Sequence, residues 1–566
     1  MAELPSEVDV LVIGGGSAGC VMANRLSADP GRRVLLAEAG VDTPPGRVPP
    51  EILDSYPMPL FHGERYVWPG LDAVATTDAA GRPRRRAYEQ GRVMGGSSSI
   101  NVQSANRGLP RDYDAWAALG ATGWGWDNVL PFFRKLETDL DFGGPLHGRD
   151  GPLPIRRILE ADWPPFAQAA ARAFDASGLP RRADQNGDFA DGLFPTAFSN
   201  RDDARVSAAA AYLDAATRAR PNLVISAETE VRALSTEGRR VTGAVLRRPD
   251  GSDRAVRARH VVLCAGALHS PTLLLRAGIG PAAHLRDCGI AVVADRPGVG
   301  ANLRDHPALT IAQYLPRALR LSDDYRRASF LALRYSSGRP GGSASDMYLT
   351  AAARGGWHAL GRSLGLYFLW VNQPHSVGRL RLRPSDPVGS PDIDLGLLSD
   401  PRDLDRLASG VRMLVGLAVS PHLNPNPREL FPASFSPAIK RLSAVSPRNA
   451  RLTAVLARLL DGPPPLRRLM LRTLTGGAEL ASLCRAGDDL DDYVRGNVFG
   501  VWHASGTCRM GRVHDLEAVV DPGGRVIGLE GLTVADASIM PRLPSANTNI
   551  PVIMGAEKIA AGFGLG

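Results

Sequence analysis

Lysine is almost missing from this chain: Lys135, Lys440 and Lys558 are the whole complement, although lysine and arginine together number 66. The formal charge of +8 is therefore an arginine excess. Where arginines cluster, as at Arg84-Arg85-Arg86 and Arg467-Arg468, no aromatics are interleaved to stack on bases, which argues against a nucleic-acid partner. An excess of this kind acts on encounter and solubility, and leaves an anionic substrate or a weak attraction to acidic lipid open. Cysteine is also scarce. Cys20, Cys264, Cys288, Cys484 and Cys508 are an odd number, spread along the chain with no CxxC pair, which excludes a disulfide framework and a structural zinc site. No run approaches 18 apolar residues, so no membrane span is expected. The opening MAELPSEVDVLVIGGG runs into a strand without the charged, apolar and cleavage-site regions of a signal peptide, so a cytoplasmic, soluble protein is expected.

At 566 residues and 44% hydrophobic content, the chain can bury more than one core, and two domains are the natural expectation. Residues 8 to 38 read as one βαβ unit: a strand Val8 to Ile13, a glycine turn, a helix Ser17 to Ala28 and a strand Arg33 to Glu38. Further β-rich runs at 222 to 265 and around Leu532 to Asp536 suggest a nucleotide domain assembled from separated segments. The Pro/Gly-rich stretches 144 to 153 and 296 to 307 would carry the chain between domains. From 400 to 490 the pattern turns helical, with Leu404, Leu407, Val411, Leu414 and Val415 at three- and four-residue steps. The Arg/Leu-rich part, 441 to 475, reads as the solvated face of packed helices, with a loop at Pro463-Pro464-Pro465.

The glycine turn carries chemistry. Gly14-Gly15-Gly16-Ser17-Ala18-Gly19 fits GxGxxG, and Glu38 ends the next strand 19 residues after Gly19. Gly14 permits the tight turn, Gly16 lets a pyrophosphate approach the backbone at a helix N-terminus, and Gly19 lets helix and strand pack closely. Glu38 would accept hydrogen bonds from a ribose. The turn alone does not separate NAD from FAD. A second small-residue cluster, 91 to 101, with Gly96 near its centre, could lay backbone against a flat ring system.

With these blocks the sequence resembles the glucose-methanol-choline (GMC) family of FAD oxidoreductases from end to end. The 91 to 101 cluster looks like its first signature. The run Gly266-Ala267-Leu268-His269-Ser270-Pro271 through Gly280 looks like its second, with Ala277 where the family usually has serine. The loop 298 to 306 and the run Ala535-Asp536-Ala537-Ser538-Ile539-Met540-Pro541 match as well. The resemblance implies an α/β fold: a Rossmann-like FAD-binding domain from 1–157, 222–312 and 516–566, and an α+β substrate domain with an antiparallel sheet from 158–221 and 313–515. It implies that Ser17, Ala18, Glu38, Trp68, Asn101, Val102, Val231 and Asp536 contact FAD, and that Trp370, Val371, Val501 and Trp502 line the substrate side. The blocks 88 to 92, 106 to 114 and 500 to 507 resemble members that oxidise activated primary alcohols, furanic or benzylic, with O2 or another acceptor as partner. Members that bind FAD covalently carry histidine where this chain has Ile100, so the resemblance implies non-covalent FAD.

Alcohol oxidation needs an electron sink and a base, and histidine is the side chain whose proton affinity is most easily tuned near neutrality. His503, in Trp502-His503-Ala504-Ser505-Gly506-Thr507, is the candidate base, with Asn547 as its partner 44 residues on. Asn547 precedes an apolar segment, Ile550 to Ala561, that reads as a helix with Pro551 in its first turn; its plain reading is an N-cap. A helix N-terminus there would also favour negative charge on a flavin ring. His306 and His269, both beside prolines, read as structural turn residues. Trp68, Trp370 and Trp502 are core aromatics on a plain reading, with Trp370 open between core and pocket. A dehydrogenase with a quinone or protein acceptor, and a hydroxynitrile lyase with non-redox FAD, are the alternatives.

Overall fold

The computed structural model describes residues 4–564 apart from 62, 79–80, 323, 434–436, 475–479 and 486. The end of the Arg/Leu-rich stretch, from 475, lies outside the described residues. Two seven-stranded sheets organise the molecule. In the first, β1 (Glu7–Ile13) lies between β2 (Val34–Ala37) and β3 (Asp253–Leu263), parallel to both. Its run of Val, Leu and Ile is buried on both faces, as a central parallel strand requires. Leu223–Ser226 adds to β2, and Leu532–Val534 adds to the C-terminal end of β3. The N-terminal end of β3 pairs antiparallel with Arg240–Arg247, which pairs in turn with Glu230–Glu237.

Between β1 and β2 the helix α1 (Ser17–Leu26) ends two residues earlier than its apolar pattern suggests. Asp29 precedes Pro30 and is disfavoured in the helical conformation, and Ser27, its N–H still bound to the Ala23 carbonyl, caps the helix.

The second sheet is antiparallel, in the order Leu430–Pro432, β4 (Pro307–Tyr314), β7 (Leu364–Val371), β6 (Met347–Ala352), β5 (Ser329–Tyr335), Gly192–Pro195. The two-residue strand Phe499–Gly500 pairs with the start of β4, Pro307 facing Gly500. That pairing decides the site, because it sets residues 305–306 beside 501–503. The helix Pro401–Ala418, which buries Leu404, Leu407, Val411, Leu414 and Val415, packs on β7 and β4. Downstream, α2 (Pro447–Leu460) and α3 (Pro464–Leu474) are separated at Pro463; Pro464 and Pro465 open the second helix. Their outer faces are less polar than expected, since Leu452, Val455, Leu459 and Leu469 are exposed beside Arg448, Arg451 and Arg458.

The stretch 144 to 153 is pinned by buried charge. The Arg107 guanidinium binds the Glu137 carboxylate, and Arg157 Nη1 lies 2.9 Å from both Asp139 oxygens. His147 sits between them, Nδ1 at 3.0 Å from Asp139 and Nε2 at 3.0 Å from Asp184. Glu137, Asp139 and His147 bring ligand atoms within 4.8 Å of one another, but their carboxylates are already bound by guanidinium groups. Burial opposes the charge on His147, but the surrounding Asp139, Asp184 and Glu137 outweigh it and raise its pKa from 6.5 to about 10. A histidine raised in the folded state contributes its full stabilisation below pH 6.5 and loses it as the pH climbs through 10. The midpoint of thermal unfolding is therefore expected to fall between pH 6.5 and 10, and His147→Gln is expected to flatten that fall; an unchanged slope in the variant would assign it to other groups.

Candidate active site

Between the two sheets lies a cavity of about 1220 Å³, larger than the ~300–1,000 Å³ typical of a small-molecule pocket. One end of it is the glycine turn. Gly14 has φ +95°, and a Cβ there would lie 2.7 Å from the Cys264 carbonyl. A Cβ on Gly19 would stand 1.8 Å from the Gly14 carbonyl, so that glycine is required by packing alone and does not reach the cavity. Gly16 differs: a Cβ there would meet no protein atom nearer than 3.9 Å, and it would point into space that lies in the cavity wall. A glycine that the protein itself does not need, at the N-terminus of α1, fits a pyrophosphate lying against the backbone.

The other residues expected around a dinucleotide share this wall: Gly14, Ser17, Ala18, Glu38, Trp68, Gly96, Asn101, Val102, Val231 and Asp536. Glu38 accepts from the N–H groups of Gly15 and Gly40, both at 2.7 Å, while burial lifts its pKa to about 7. Asp536 accepts from the Gly266 N–H at 2.8 Å and the Ser270 hydroxyl at 2.5 Å, which ties the late segment to the helix that follows β3. Ser17 Oγ donates to Asn549 Oδ1 at 2.7 Å, so the N-termini of α1 and of α4 (Asn549–Ala561) meet at the cavity. Trp68 stacks on His269, centroids 4.3 Å apart, and both are in the wall; His269 is a cavity residue within the helix Gly266–Arg276 and not the turn residue that Pro271 suggested.

His503 is buried in the same cavity wall and held at both ring nitrogens. Asn547 Nδ2 lies 3.0 Å from its Nε2, and His306 Nδ1 lies 2.8 Å from its Nδ1. His306 Nε2 in turn lies 3.1 Å from the backbone carbonyl of Asn372. A carbonyl only accepts, so His306 carries its proton on Nε2 and offers a lone pair at Nδ1. His503 must then donate from Nδ1, and its own lone pair is left on Nε2, where the Asn547 amide donates to it. The tautomers of both histidines thus follow from the carbonyl at His306 Nε2, with the Pro544 carbonyl a second backbone partner of that ring. His306, expected to satisfy only its own turn, is a positioning residue for His503. Burial lowers the His503 pKa from 6.5 to about 3, so the ring is neutral at physiological pH.

Asp305 fixes the backbone of this pair. Its carboxylate accepts from the N–H groups of His306 (2.7 Å) and His503 (3.0 Å) and from the Tyr88 hydroxyl (2.7 Å). Burial raises its pKa to about 6. Trp502 adopts φ +59°, a left-handed conformation rare for an aromatic residue, with Nε1 donating to Glu89 at 2.9 Å. This turn directs consecutive side chains, Trp502 and His503, to one cavity. Asn547 does not cap α4, whose N-cap is Thr548; its backbone N–H is bound instead by Asn106 Oδ1 at 2.8 Å. Val501, Trp502 and Trp370 line the same cavity, and Trp370 stacks on Tyr348 with centroids 4.5 Å apart. Val371 does not join them. Side chains alternate along β7, and Val371 is wholly buried on the far face.

These features fit a dinucleotide-dependent oxidoreductase, and comparison with known proteins agrees. The GMC oxidoreductase family matches residues 8–308 with its N-terminal part and 374–556 with its C-terminal part. The chain belongs to that family and is an FAD-dependent enzyme of alcohol oxidation. It is 45% identical over 560 residues to 5-(hydroxymethyl)furfural oxidase of Methylovorus sp. (strain MP688), covering 98% of both chains. It is 32% identical to the oxygen-dependent choline dehydrogenase of Brucella anthropi, covering 98% of this chain and 94% of the relative. Among solved structures it resembles pyridoxine 4-oxidase from Mesorbium loti, with a TM-score of 0.77, 29% identity, and 98% and 99% of the two chains covered.

Ile100 is buried in the cavity wall and offers no nucleophile for a covalent flavin bond. Acid precipitation is expected to release all the flavin into the supernatant; yellow colour retained in the pellet would contradict this.

Proposed function

We propose that this enzyme oxidises activated primary alcohols, furanic or benzylic and of the 5-(hydroxymethyl)furfural type, to aldehydes, and that O2 takes up the electrons as H2O2. The observation that carries this reading is a buried, neutral His503 paired through Nε2 with Asn547, both in the wall of the cavity that the glycine turn also lines. When bound, FAD supplies the two-electron acceptor, at N5 of its ring, that alcohol oxidation requires. The FAD-binding part is proposed to comprise 1–157, 222–312 and 516–566, and the substrate part 158–221 and 313–515.

In this proposal the substrate oxygen replaces His503 Nε2 as the acceptor of the Asn547 amide, and Nε2, so freed, accepts the hydroxyl proton as the carbon gives up its hydride. The Asn547 amide, 3.0 Å from Nε2, holds the substrate oxygen in register with the ring. With a pKa near 3, His503 does not ionise the alcohol beforehand, so its proton moves as the carbonyl forms. The positive charge that develops on His503 is met by the Nδ1 lone pair of His306, 2.8 Å from its Nδ1, and by the Asp305 carboxylate, which lies against both backbones. Trp502, Trp370 and Tyr348 bound an apolar slot for a flat ring and exclude water from it.

The test is oxygen uptake with 5-(hydroxymethyl)furfural and with benzyl alcohol, each with peroxide and aldehyde measured. One peroxide per aldehyde is expected. Aldehyde formed only with an added quinone would make the enzyme a dehydrogenase, and no aldehyde from either compound would overturn the substrate class.

A further inference from the structure

The cavity does not end at Trp370. Along β7 the side chains facing it are Trp370, Phe368 and Leu366, paired across β6 with Tyr348, Thr350 and Ala352. Trp370 and Tyr348 pack with Val501 and Trp502 beside His503, whereas Leu366 and Ala352 lie four strand residues away, about 13 Å. At that far end Arg354 follows Ala352, and Arg327 precedes Ser329, which is paired with Ala352.

Both arginines are in the cavity wall, yet they are 5% and 6% exposed. Arg327 has Asp203 for a counter-charge at 3.7 Å, beyond a hydrogen bond, and its Nη2 has no partner among the described residues. Arg354 donates from Nη2 to the Arg326 carbonyl, and its Nε has no partner. The nearby acid, Asp54, is held by Arg326. Each guanidinium lies on an aromatic ring, Arg327 Cζ 4.0 Å from the Phe198 centroid and Arg354 Cζ 3.8 Å from that of Tyr56. Two buried hydroxyls in the same wall, on Tyr56 and Thr196, are also without partners among the described residues.

Buried guanidinium groups are strongly unfavourable unless paired, and ordinary folded proteins leave few buried polar atoms unmatched. Stacking on Phe198 and Tyr56 accounts for where the arginines lie but leaves Arg327 Nη2 and Arg354 Nε without a hydrogen-bond partner among the described residues. Burial lowers both pKa values, that of Arg327 to about 10, so both remain cationic at neutral pH. The chamber is thus an aromatic and aliphatic slot with a neutral base at one end and two underpaired cations at the other.

We propose that this far end binds a carboxylate, and that the preferred substrates are elongated aromatic primary alcohols carrying a carboxylate opposite the hydroxymethyl group. Arg327 and Arg354 donate to the carboxylate, the Tyr56 and Thr196 hydroxyls complete its shell, and the ring between them lies along Phe368 and Trp370. The inference rests on the alcohol-oxidation reading for the fate of the hydroxymethyl end, but not for the binding of the carboxylate.

The test compares 4'-(hydroxymethyl)biphenyl-4-carboxylate with neutral 4-biphenylmethanol in the wild-type holoenzyme and in Arg327→Gln and Arg354→Gln. The carboxylate is expected to have the lower KM in the wild type, and each variant to raise that KM at least 10-fold while moving the KM of the neutral alcohol less than 3-fold. Equal KM values in the wild type, or equal shifts for both alcohols in the variants, would overturn it. Should the variants fail to fold, calorimetric titration of the wild type with 4'-methylbiphenyl-4-carboxylate, which has no alcohol to oxidise, still decides: binding that weakens with salt is expected, and no binding refutes the site. Binding of this acid without oxidation of either alcohol would leave the carboxylate site standing and sink the alcohol reading instead.

Discussion

Replacing His503 with alanine is expected to slow anaerobic bleaching of the flavin by alcohol at least ~100-fold, with the FAD content unchanged. The ring supplies the one lone pair whose position is dictated by the surrounding hydrogen bonds, and alanine removes both that acceptor and the link from Asn547 to His306. FAD is retained because the substitution leaves the glycine turn, Glu38 and Asp536 unchanged. The pH profile carries a second, independent expectation. Burial holds His503 neutral down to about pH 3, so the rate of bleaching in the wild type should show no inflection near 6.5, where an exposed histidine titrates. His306→Ala should lower the rate less than His503→Ala, because His503 loses the neighbour that sets its tautomer but keeps Nε2 and Asn547. A variant of His503 that bleaches at a near-normal rate would remove it from the reaction.

The glycines of the dinucleotide turn should divide sharply. Gly19→Ala puts a Cβ 1.8 Å from the Gly14 carbonyl, a clash between backbone segments that no rotamer relieves, so little folded protein is expected. Gly16→Ala adds the same methyl group where the nearest protein atom is 3.9 Å away. The apoprotein should therefore fold with a near-normal circular dichroism spectrum, yet bind FAD at least ~10-fold more weakly, because the methyl group occupies the space of the pyrophosphate. Titration of the two apoproteins with FAD, beside thermal melts, separates them. Normal affinity in Gly16→Ala would mean that the pyrophosphate lies elsewhere.

What was legible in the sequence was local. The β1–α1–β2 unit and the roles of Gly14 and Gly19 follow from residues within a few positions of one another, and the structure places them accordingly. The start of α4 was readable from Pro551. His306 was not legible as a partner of His503, because the two lie 197 residues apart and meet only through the pairing of Pro307 with Gly500. Asp305 and Tyr88 escaped for the same reason: Asp305 acts by accepting from backbone N–H groups, which leaves no trace in residue type. Val371 was misplaced because a family-wide block of pocket residues overrides alternation, whereas a strand sends Trp370 and Val371 to opposite faces. The buried arginines were hidden in a chain so rich in arginine that two more drew no notice.

The measurement that bears most directly on the account is anaerobic stopped-flow mixing of the holoenzyme with 5-(hydroxymethyl)furfural, run in parallel on the wild type and His503→Ala. Rapid, complete loss of flavin absorbance in the wild type, slowed at least ~100-fold in the variant, is the predicted result. A wild-type flavin that keeps its absorbance with this alcohol and with benzyl alcohol, or a variant that bleaches as fast as the parent, would contradict it.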